Sequence, residues 1–211
     1  MWVAQAAHFF IAMNLEEIRK KLNNRPVGVI GDRKEFAVLI PLIETDEGLS
    51  LLYEVRGKTI KQPGDVCFPG GKIEKGEDIV SAALRETQEE IGIKKENIDI
   101  IGRFDSLLEV NRLRLHTVVG LLRSEDLKSI KLNYEVSDTF TVPIKYFEEN
   151  EPDYFKQEII QDPNGFPYEK HGIDPNYKWR KAFQDTFFWH YEGHCIWGIT
   201  SAITEWFINH I

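Results

Sequence analysis

The 211-residue chain has the size of one ordinary domain and is long enough to bury a core. Its 42% hydrophobic and 28% charged residues are typical of a folded globular protein, not of a disordered or membrane-embedded one. The formal net charge of −8 argues against a general nucleic-acid-binding surface, which is normally basic. An acidic protein that binds phosphates needs a metal ion or a local basic patch.

The N-terminal segment is apolar, but it has no basic region before it and is too short to span a bilayer. We expect residues 1–12 to be an extension without a catalytic role and residues 13–211 to form a single domain. The first helix is predicted to follow Asn14, a good N-cap with Glu17 three residues later.

The elements that follow alternate between strands and helices. Strands are predicted over residues 35–43, 49–55, 64–67, 98–110, 114–122 and 186–193. Helices are predicted over residues 78–91 and 195–210, and a strand passes into a short helix near Pro143. Residues 161–178 are rich in turn-forming residues and predict a long loop. No repeat and no flexible linker divides the chain, which indicates one α/β domain.

The helix predicted over residues 78–91 carries an acidic stripe. At the helical period Glu86, Glu89 and Glu90 share one side, next to the apolar face that packs on the sheet. Like charges at this spacing repel one another, and they lie near the helix C-terminus, which disfavours anions. Mg²⁺ resolves the conflict, because it prefers carboxylate oxygens and shares its remaining positions with substrate phosphates.

A bare acidic run is most often a solvated helix face, but two neighbouring features favour a metal and phosphate site. Arg85 adjoins the stripe and can fix the rotamer of one carboxylate. Gly70 and Gly71 follow a proline and are expected to form a tight turn whose bare backbone approaches a phosphate or a metal.

Residues 71–93 resemble the Nudix box, the signature of Nudix hydrolases. The pattern is Gly, five residues, Glu, seven residues, Arg-Glu, an aliphatic residue, any residue, Glu-Glu, any residue, Gly and an aliphatic residue. The matching positions are Gly71, Glu77, Arg85, Glu86, Glu89, Glu90, Gly92 and Ile93. Thr87 departs from the pattern where the family usually has an aliphatic residue, and the change is conservative because threonine is also β-branched.

The resemblance implies a Nudix-type α/β/α sandwich with a mixed sheet and hydrolysis of a pyrophosphate bond. It implies that Glu86 and Glu90 ligate Mg²⁺, with Mn²⁺ as an alternative ion. Glu89 would be a further ligand or the general base, Arg85 would orient the carboxylates, and Glu77 would support the helix start or the metal shell. The metal would neutralise the charge that develops on the phosphoryl oxygens.

The segment upstream of the box is similar to the extra motif of coenzyme A pyrophosphatases in the same superfamily. Gly64 and the run 68–71 match that motif, whereas Val55 stands in the place of its arginine and Arg56 lies one residue later. The stretch 195–200 also resembles the opening of that subfamily's last helix. The products implied are 3′,5′-ADP and 4′-phosphopantetheine.

A local basic patch agrees with this substrate. It comprises Arg56, Lys58, Lys61 and Lys72, and it could hold the 3′-phosphate of coenzyme A. We take Arg56, Lys61, Gly70 and Gly71 as candidate substrate-binding residues. A solvated hairpin edge explains the lysines equally well.

The alternatives left open are a hydrolase of ADP-ribose or another nucleoside diphosphate sugar, a sanitiser of oxidised nucleoside triphosphates, and a binding module that has lost catalysis. Glu135 lies where related enzymes place an acidic residue outside the box, although a surface role is favoured. The histidines show no zinc-site spacing, and Cys67 and Cys195 are expected to be free thiols. We expect a cytoplasmic protein with a small nucleotide substrate, without nucleic-acid or membrane partners, and the family resemblance leaves a homodimer open.

Overall fold

The computed structural model describes residues 14–26, 29–31, 33–109, 113–160 and 162–211. Contacts divide the chain into two units, residues 1–32 and residues 33–211. In the first unit, helix α1 (Leu15–Asn23) begins after Asn14, whose side chain accepts the Glu17 N–H while Glu17 caps Asn14 in return. The predicted extension 1–12 lies outside the described residues, and the predicted domain boundary stays a prediction.

A mixed β-sheet forms the centre of the second unit. Its strands are β1 (Lys34–Thr45), β2 (Gly48–Arg56), β3 (Val66–Cys67), β4 (Gly70–Lys72), β5 (Ile98–Arg103), β6 (Leu107–Leu108), β7 (Leu113–Leu122) and β8 (Val136–Pro143). The main path runs β3-β2-β1-β7-β5, with β4 paired to β1, β6 to β7 and β8 to β2. The pair β1 and β7 is parallel and the other pairs are antiparallel.

Both faces of this sheet are covered, because β1 is apolar on both sides. Its alternate residues Ala37, Leu39 and Ile43 pack towards α2 (Ile79–Ile91). The residues between them pack towards α3 (Ile144–Glu149) and α4 (Gly198–Ile208). A strand that is buried on both faces has a continuous apolar sequence rather than an alternating one. The sequence of β1 has such a continuous apolar run. This three-layer arrangement confirms the predicted α/β sandwich.

A second, smaller sheet has the order β11-β10-β9, formed by β9 (Asp153–Ile159), β10 (Ala182–Tyr191) and β11 (His194–Ile196). Strand β9 has no counterpart in the sequence prediction. The last helix begins at Gly198 rather than at residue 195, because Cys195 and Ile196 pair with β10.

Among the described residues there are also three short 3₁₀ helices, at Lys95–Asn97, Ser124–Ser129 and Glu169–His171. The last of these lies within the predicted loop 161–178, of which residues 162–178 contain no strand. Within the described ranges, every helix is too short or too polar to cross a bilayer.

Candidate metal and phosphate site

Helix α2 is fixed at both ends and along its apolar face. The Asp78 carboxylate accepts the N–H groups of Val80 and Ser81, and Gly92 ends the helix with a φ of 75°, a conformation that favours glycine. Thr87 is fully buried and its hydroxyl donates to the Ala83 carbonyl at 2.7 Å, so the departure from the Nudix pattern leaves no unsatisfied polar group.

Glu90 points from this helix into the protein and is only 6% exposed. Its carboxylate accepts the backbone N–H of Gly70 at 2.8 Å. The pKa of Glu90 is raised to about 9, chiefly by burial and also by the charges of Glu54, Glu86 and Glu135, while the hydrogen bond from Gly70 opposes the shift. A buried carboxylate surrounded by other carboxylates gains from a cation.

Glu54 is the site residue that the sequence analysis missed. It lies on β2, is 2% exposed, and accepts a hydrogen bond from the Cys67 thiol at 3.2 Å on one oxygen. Its other oxygen, Oε2, is buried without a hydrogen-bond partner. Burial raises the pKa of Glu54 to about 7, although the Cys67 hydrogen bond and the Arg56 charge oppose the shift.

Arg85 ties the acidic helix to the loop before it. Its guanidinium donates to both oxygens of Glu77, at 2.9 and 3.0 Å, and to the Lys72 carbonyl at 3.1 Å. It also pairs with Glu86 at 2.9 Å and with Glu89 at 3.3 Å. The pKa of Glu77 is lowered chiefly by its hydrogen bonds from Arg85. Lysine could not make these contacts together, since only the planar guanidinium fork reaches several acceptors at once.

The three glutamates of the predicted stripe separate into two environments. Glu86 is half-buried, and burial is the main cause that raises its pKa, while Arg85 opposes the shift. Glu90 is buried, as described above. Glu89 instead points to solvent, with 56% of its side chain exposed, and its contact is the ion pair with Arg85.

The two glycines lie in strand β4, not in the tight turn expected from the sequence. The reason is that β4 pairs with β1, with Gly70 opposite Val38 and Gly71 opposite Ala37. A Cβ atom at Gly70 would collide with the backbone of β1, and its φ of 155° also disfavours other residues. A Cβ at Gly71 would collide with the Glu86 carboxylate. The bare backbone of Gly71 is therefore approached closely by the carboxylate of Glu86, a candidate metal ligand.

Glu135 also belongs to this region. It is half-buried, its carbonyl accepts the Gly57 N–H at 2.6 Å, and its charge contributes to the raised pKa values of Glu54, Glu86 and Glu90. Its charge therefore acts on the other carboxylates, although the sequence favoured a surface role for it.

The donor set fits a hard divalent cation. The carboxylates of Glu54, Glu86, Glu90 and Glu135 repel one another, and Glu54 has an orphaned oxygen; a cation would relieve both. No three Asp, Glu, His or Cys side chains of the described ranges already converge at metal-ligand distances. The carboxylates are nevertheless near enough to shift one another's pKa.

A cleft of about 310 Å³ opens beside the glycines. We call it the site cleft; its lining includes Val38, Arg56, Gly70, Gly71, Trp197 and Ile203. Three of the four candidate substrate-binding residues therefore line one cavity. Lys61 is not part of that lining; its backbone carbonyl instead accepts the Nε–H of Arg56 at 2.9 Å and so helps to position the guanidinium.

Comparison with known proteins gives the family. The model of the NUDIX domain matches residues 33–158, more than half of the chain, so the chain belongs to this family. The match spans the carboxylates on β2 and α2 and the glycine strand between them.

The similar curated proteins include peroxisomal coenzyme A diphosphatase NUDT7 of Mus musculus, 33% identical over 134 residues, which are 63% of this chain and 56% of that protein. Nudix hydrolase 3 of Caenorhabditis elegans is 35% identical over 135 residues, 62% of this chain and 56% of that protein. The chain thus spans less than two thirds of the length of these relatives. Among solved structures, a C. elegans Ap4A hydrolase in a binary complex has a TM-score of 0.46 and 22% identity, over 52% of this chain and 80% of that one.

Proposed function

We propose that this chain hydrolyses the pyrophosphate bond of a nucleotide derivative with the help of a divalent metal, Mg²⁺ or Mn²⁺. The observation that carries the proposal is the pair of buried, mutually repelling carboxylates of Glu54 and Glu90, next to two glycines that line the site cleft. A fold selected for stability alone would neutralise or expose such groups. Membership of the NUDIX family supports the same chemistry.

The chain's own residues have distinct roles in this proposal. Glu86 and Glu90 would hold the metal, with Glu54 and Glu135 as the nearest further carboxylates. Bound metal would supply positive charge where the phosphoryl oxygens become more negative. Arg85 would keep Glu86 in place through its contacts on both sides. Glu89, which is exposed to water, would act as a further ligand or take the proton of the attacking water.

Coenzyme A and acyl-coenzyme A are the proposed substrates, giving 3′,5′-ADP and 4′-phosphopantetheine or its acyl form. The diphosphatase named among the relatives supports this choice, as does Arg56 at the site cleft, where a guanidinium can bind a phosphate. The compartment and any homodimer stay predictions: a cytoplasmic location was expected from the sequence, and the mouse relative is named peroxisomal.

A substrate panel with Mg²⁺ tests the proposal. Coenzyme A, dephospho-coenzyme A, ADP-ribose, NADH, diadenosine polyphosphates and oxidised dGTP are incubated with the full chain, and the products are identified by mass. We expect coenzyme A to have the highest kcat/KM and dephospho-coenzyme A a lower one. If ADP-ribose were the best substrate, the chain would be an ADP-ribose hydrolase rather than a coenzyme A hydrolase. If no compound were turned over, the chain would be a binding module that has lost catalysis.

The role of the buried carboxylate is tested by Glu90→Gln. We expect turnover to fall by at least about a hundredfold, the scale of losing one main stabiliser of transition-state charge. Glu96→Gln, at an exposed glutamate just after the helix, is the matched control and should behave as wild type. Circular dichroism should show both variants folded; near-normal activity of Glu90→Gln would refute the assignment.

A further inference from the structure

Strand β9 lies at an open edge of the small sheet. It pairs with β10 on one side, and within the described ranges no strand pairs with its other side. The strand contains no proline, and its side chains are exposed along its length apart from the half-buried Ile159. Proteins usually shorten, interrupt or cover such an edge, because its backbone N–H and C=O groups can pair with another strand. The open edge of β9 therefore indicates a binding surface.

Large apolar side chains are exposed along this edge. Phe155 is 60% exposed and Tyr154 is 55% exposed, while Ile160, directly after the strand, is 80% exposed. Successive side chains of a strand point to opposite faces, so Phe155 and Ile159 share one face and Tyr154 lies on the other. Exposed apolar groups in such number on a free strand are typical of a contact with another protein chain.

A second copy of the same strand fits this edge in one register. Symmetric antiparallel pairing must be centred on a residue that lies opposite itself, because hydrogen-bonded and non-hydrogen-bonded pairs alternate along the strands. A centre at Lys156 or Glu158 would place like charges opposite each other, which destabilises the pair. A centre at Gln157 places Lys156 opposite Glu158 of the second copy. Centres nearer either end of the strand pair fewer residues.

The register centred on Gln157 also matches the apolar residues. It places Phe155 opposite Ile159 of the second copy, and Tyr154 opposite Ile160 of the second copy. Each of these contacts occurs twice because of the symmetry. Pairs of an aromatic and a β-branched residue, like pairs of opposite charges, stabilise neighbouring strands. The sequence around Gln157 is therefore complementary to itself in charge and in apolarity.

The two charged residues of the edge already have contacts on the β10 side. The Lys156 ammonium lies over the Phe183 ring, 4.8 Å from its centroid, and Glu158 pairs with Lys181 at 2.7 Å. A second copy would add a carboxylate next to Lys156 and an ammonium next to Glu158. The result would be a network of charges rather than an isolated surface pair, and networks contribute more to association than isolated pairs do.

We propose that this chain forms a homodimer in which the β9 strands of two copies pair antiparallel about Gln157 and join the two small sheets into one. Twofold dimers with a self-complementary interface are the commonest protein oligomers. The inference does not depend on the proposed function, since it uses no residue of the metal and phosphate site.

Analytical ultracentrifugation of the full chain from about 1 to about 100 µM tests the proposal. We expect wild type to dimerise. Lys156→Glu and Glu158→Lys each place like charges opposite each other at two positions and should weaken dimerisation by about tenfold or more. An equimolar mixture of these two variants restores opposite charges and should dimerise as wild type does. Lys170→Glu and Glu169→Lys, at exposed residues outside the strand, are the matched controls and should leave dimerisation unchanged.

Several results would overturn the proposal. Wild type that stays monomeric would leave the edge to a different partner. A dimer that neither charge variant weakens would form through another surface, and two weakened variants that do not recover on mixing would contradict the register. Circular dichroism checks that each variant is folded. If a charge variant is misfolded, Ile160→Asp decides, because Ile160 lies outside the β9–β10 pairing; it should weaken the dimer, and unchanged dimerisation would refute the interface.

Discussion

Glu54 lies on an interior strand with one carboxylate oxygen bound by the Cys67 thiol and the other without a partner. Such a group is costly in a metal-free protein, because a buried charge loses its hydration. It is favourable when a cation replaces that hydration. The Glu54 carboxylate should therefore lower the stability of the metal-free protein and strengthen its binding of a metal ion.

We therefore expect Glu54→Gln to weaken Mg²⁺ binding by about tenfold or more, the scale of losing a residue in or next to a metal shell. At pH 8, above the raised pKa of Glu54 of about 7, the metal-free variant should unfold at the same or a higher temperature than wild type. Calorimetric Mg²⁺ titration and thermal unfolding in EDTA give the two quantities. Glu44→Gln, at an exposed residue of β1, is the control. A variant that binds Mg²⁺ normally and is less stable would make Glu54 a structural residue.

Helix α2 and the loop before it act as one element because Arg85 contacts both. The guanidinium binds Glu77 and Lys72 on the loop side and Glu86 and Glu89 on the helix side. Glu86 in turn rests against the bare backbone of β4. Arg85 therefore positions Glu86, a candidate metal ligand. None of these contacts of Arg85 is with the buried carboxylate of Glu90.

Arg85→Lys tests this bridge between the loop and the helix. Lysine keeps the charge but cannot bridge the loop and the helix, so Glu86 should lose its fixed rotamer. We expect kcat/KM to fall by about tenfold to a hundredfold and the KM for Mg²⁺ to rise, with little change in unfolding temperature. Arg103→Lys, at an exposed arginine of β5, should change neither value. Equal kinetics of the two variants would show that the bridge is dispensable.

Element prediction from the sequence succeeded where local signals agree. Helix α2 is observed at Ile79–Ile91 against a predicted 78–91, since an Asp cap, a helical apolar period and a terminal glycine all act within the segment. Strand β9 was missed because its side chains are almost all exposed and its sequence, DYFKQEI, has two adjacent aromatic residues followed by three polar ones, without the apolar alternation of a half-buried strand. Its structure comes from pairing with β10, a contact remote in sequence.

In the candidate site, too, residues fixed by local signals could be predicted and residues placed by remote contacts could not. Glu86, Glu89 and Glu90 could be predicted because their spacing is fixed within one helix. Glu54 could not, because in a strand of leucines one glutamate is expected to face solvent, and its burial depends on packing from β3 and β8 on either side of β2. The site is therefore assembled from one motif that is local in sequence and from carboxylates that only the sheet brings near it.

For the whole molecule, the buried carboxylates should couple metal binding, pH and stability. The metal-free folded protein has pKa values of about 7 for Glu54 and about 9 for Glu90, both above the 4.5 of an exposed glutamate. The groups that face them are Glu86, Glu135, Arg56, the Cys67 thiol and the Gly70 N–H. Between pH 4.5 and about 9 the folded state then binds more protons than the unfolded state. The free energy of unfolding consequently decreases as pH rises through this window.

We expect the unfolding temperature in EDTA to fall from pH 6 to pH 8, a range that stays below the ordinary thiol pKa of 9.0. Saturating Mg²⁺ should raise the unfolding temperature, and more at pH 8 than at pH 6, because the metal binds the ionised carboxylates and releases their protons. Differential scanning fluorimetry across this range measures both effects. Glu54→Gln should show a shallower fall in EDTA, since one of the two titrating groups is gone. If the unfolding temperature changed with pH by the same amount with and without Mg²⁺, the buried carboxylates would not bind the metal. If wild type and Glu54→Gln also had the same slope, these carboxylates would not titrate in this range.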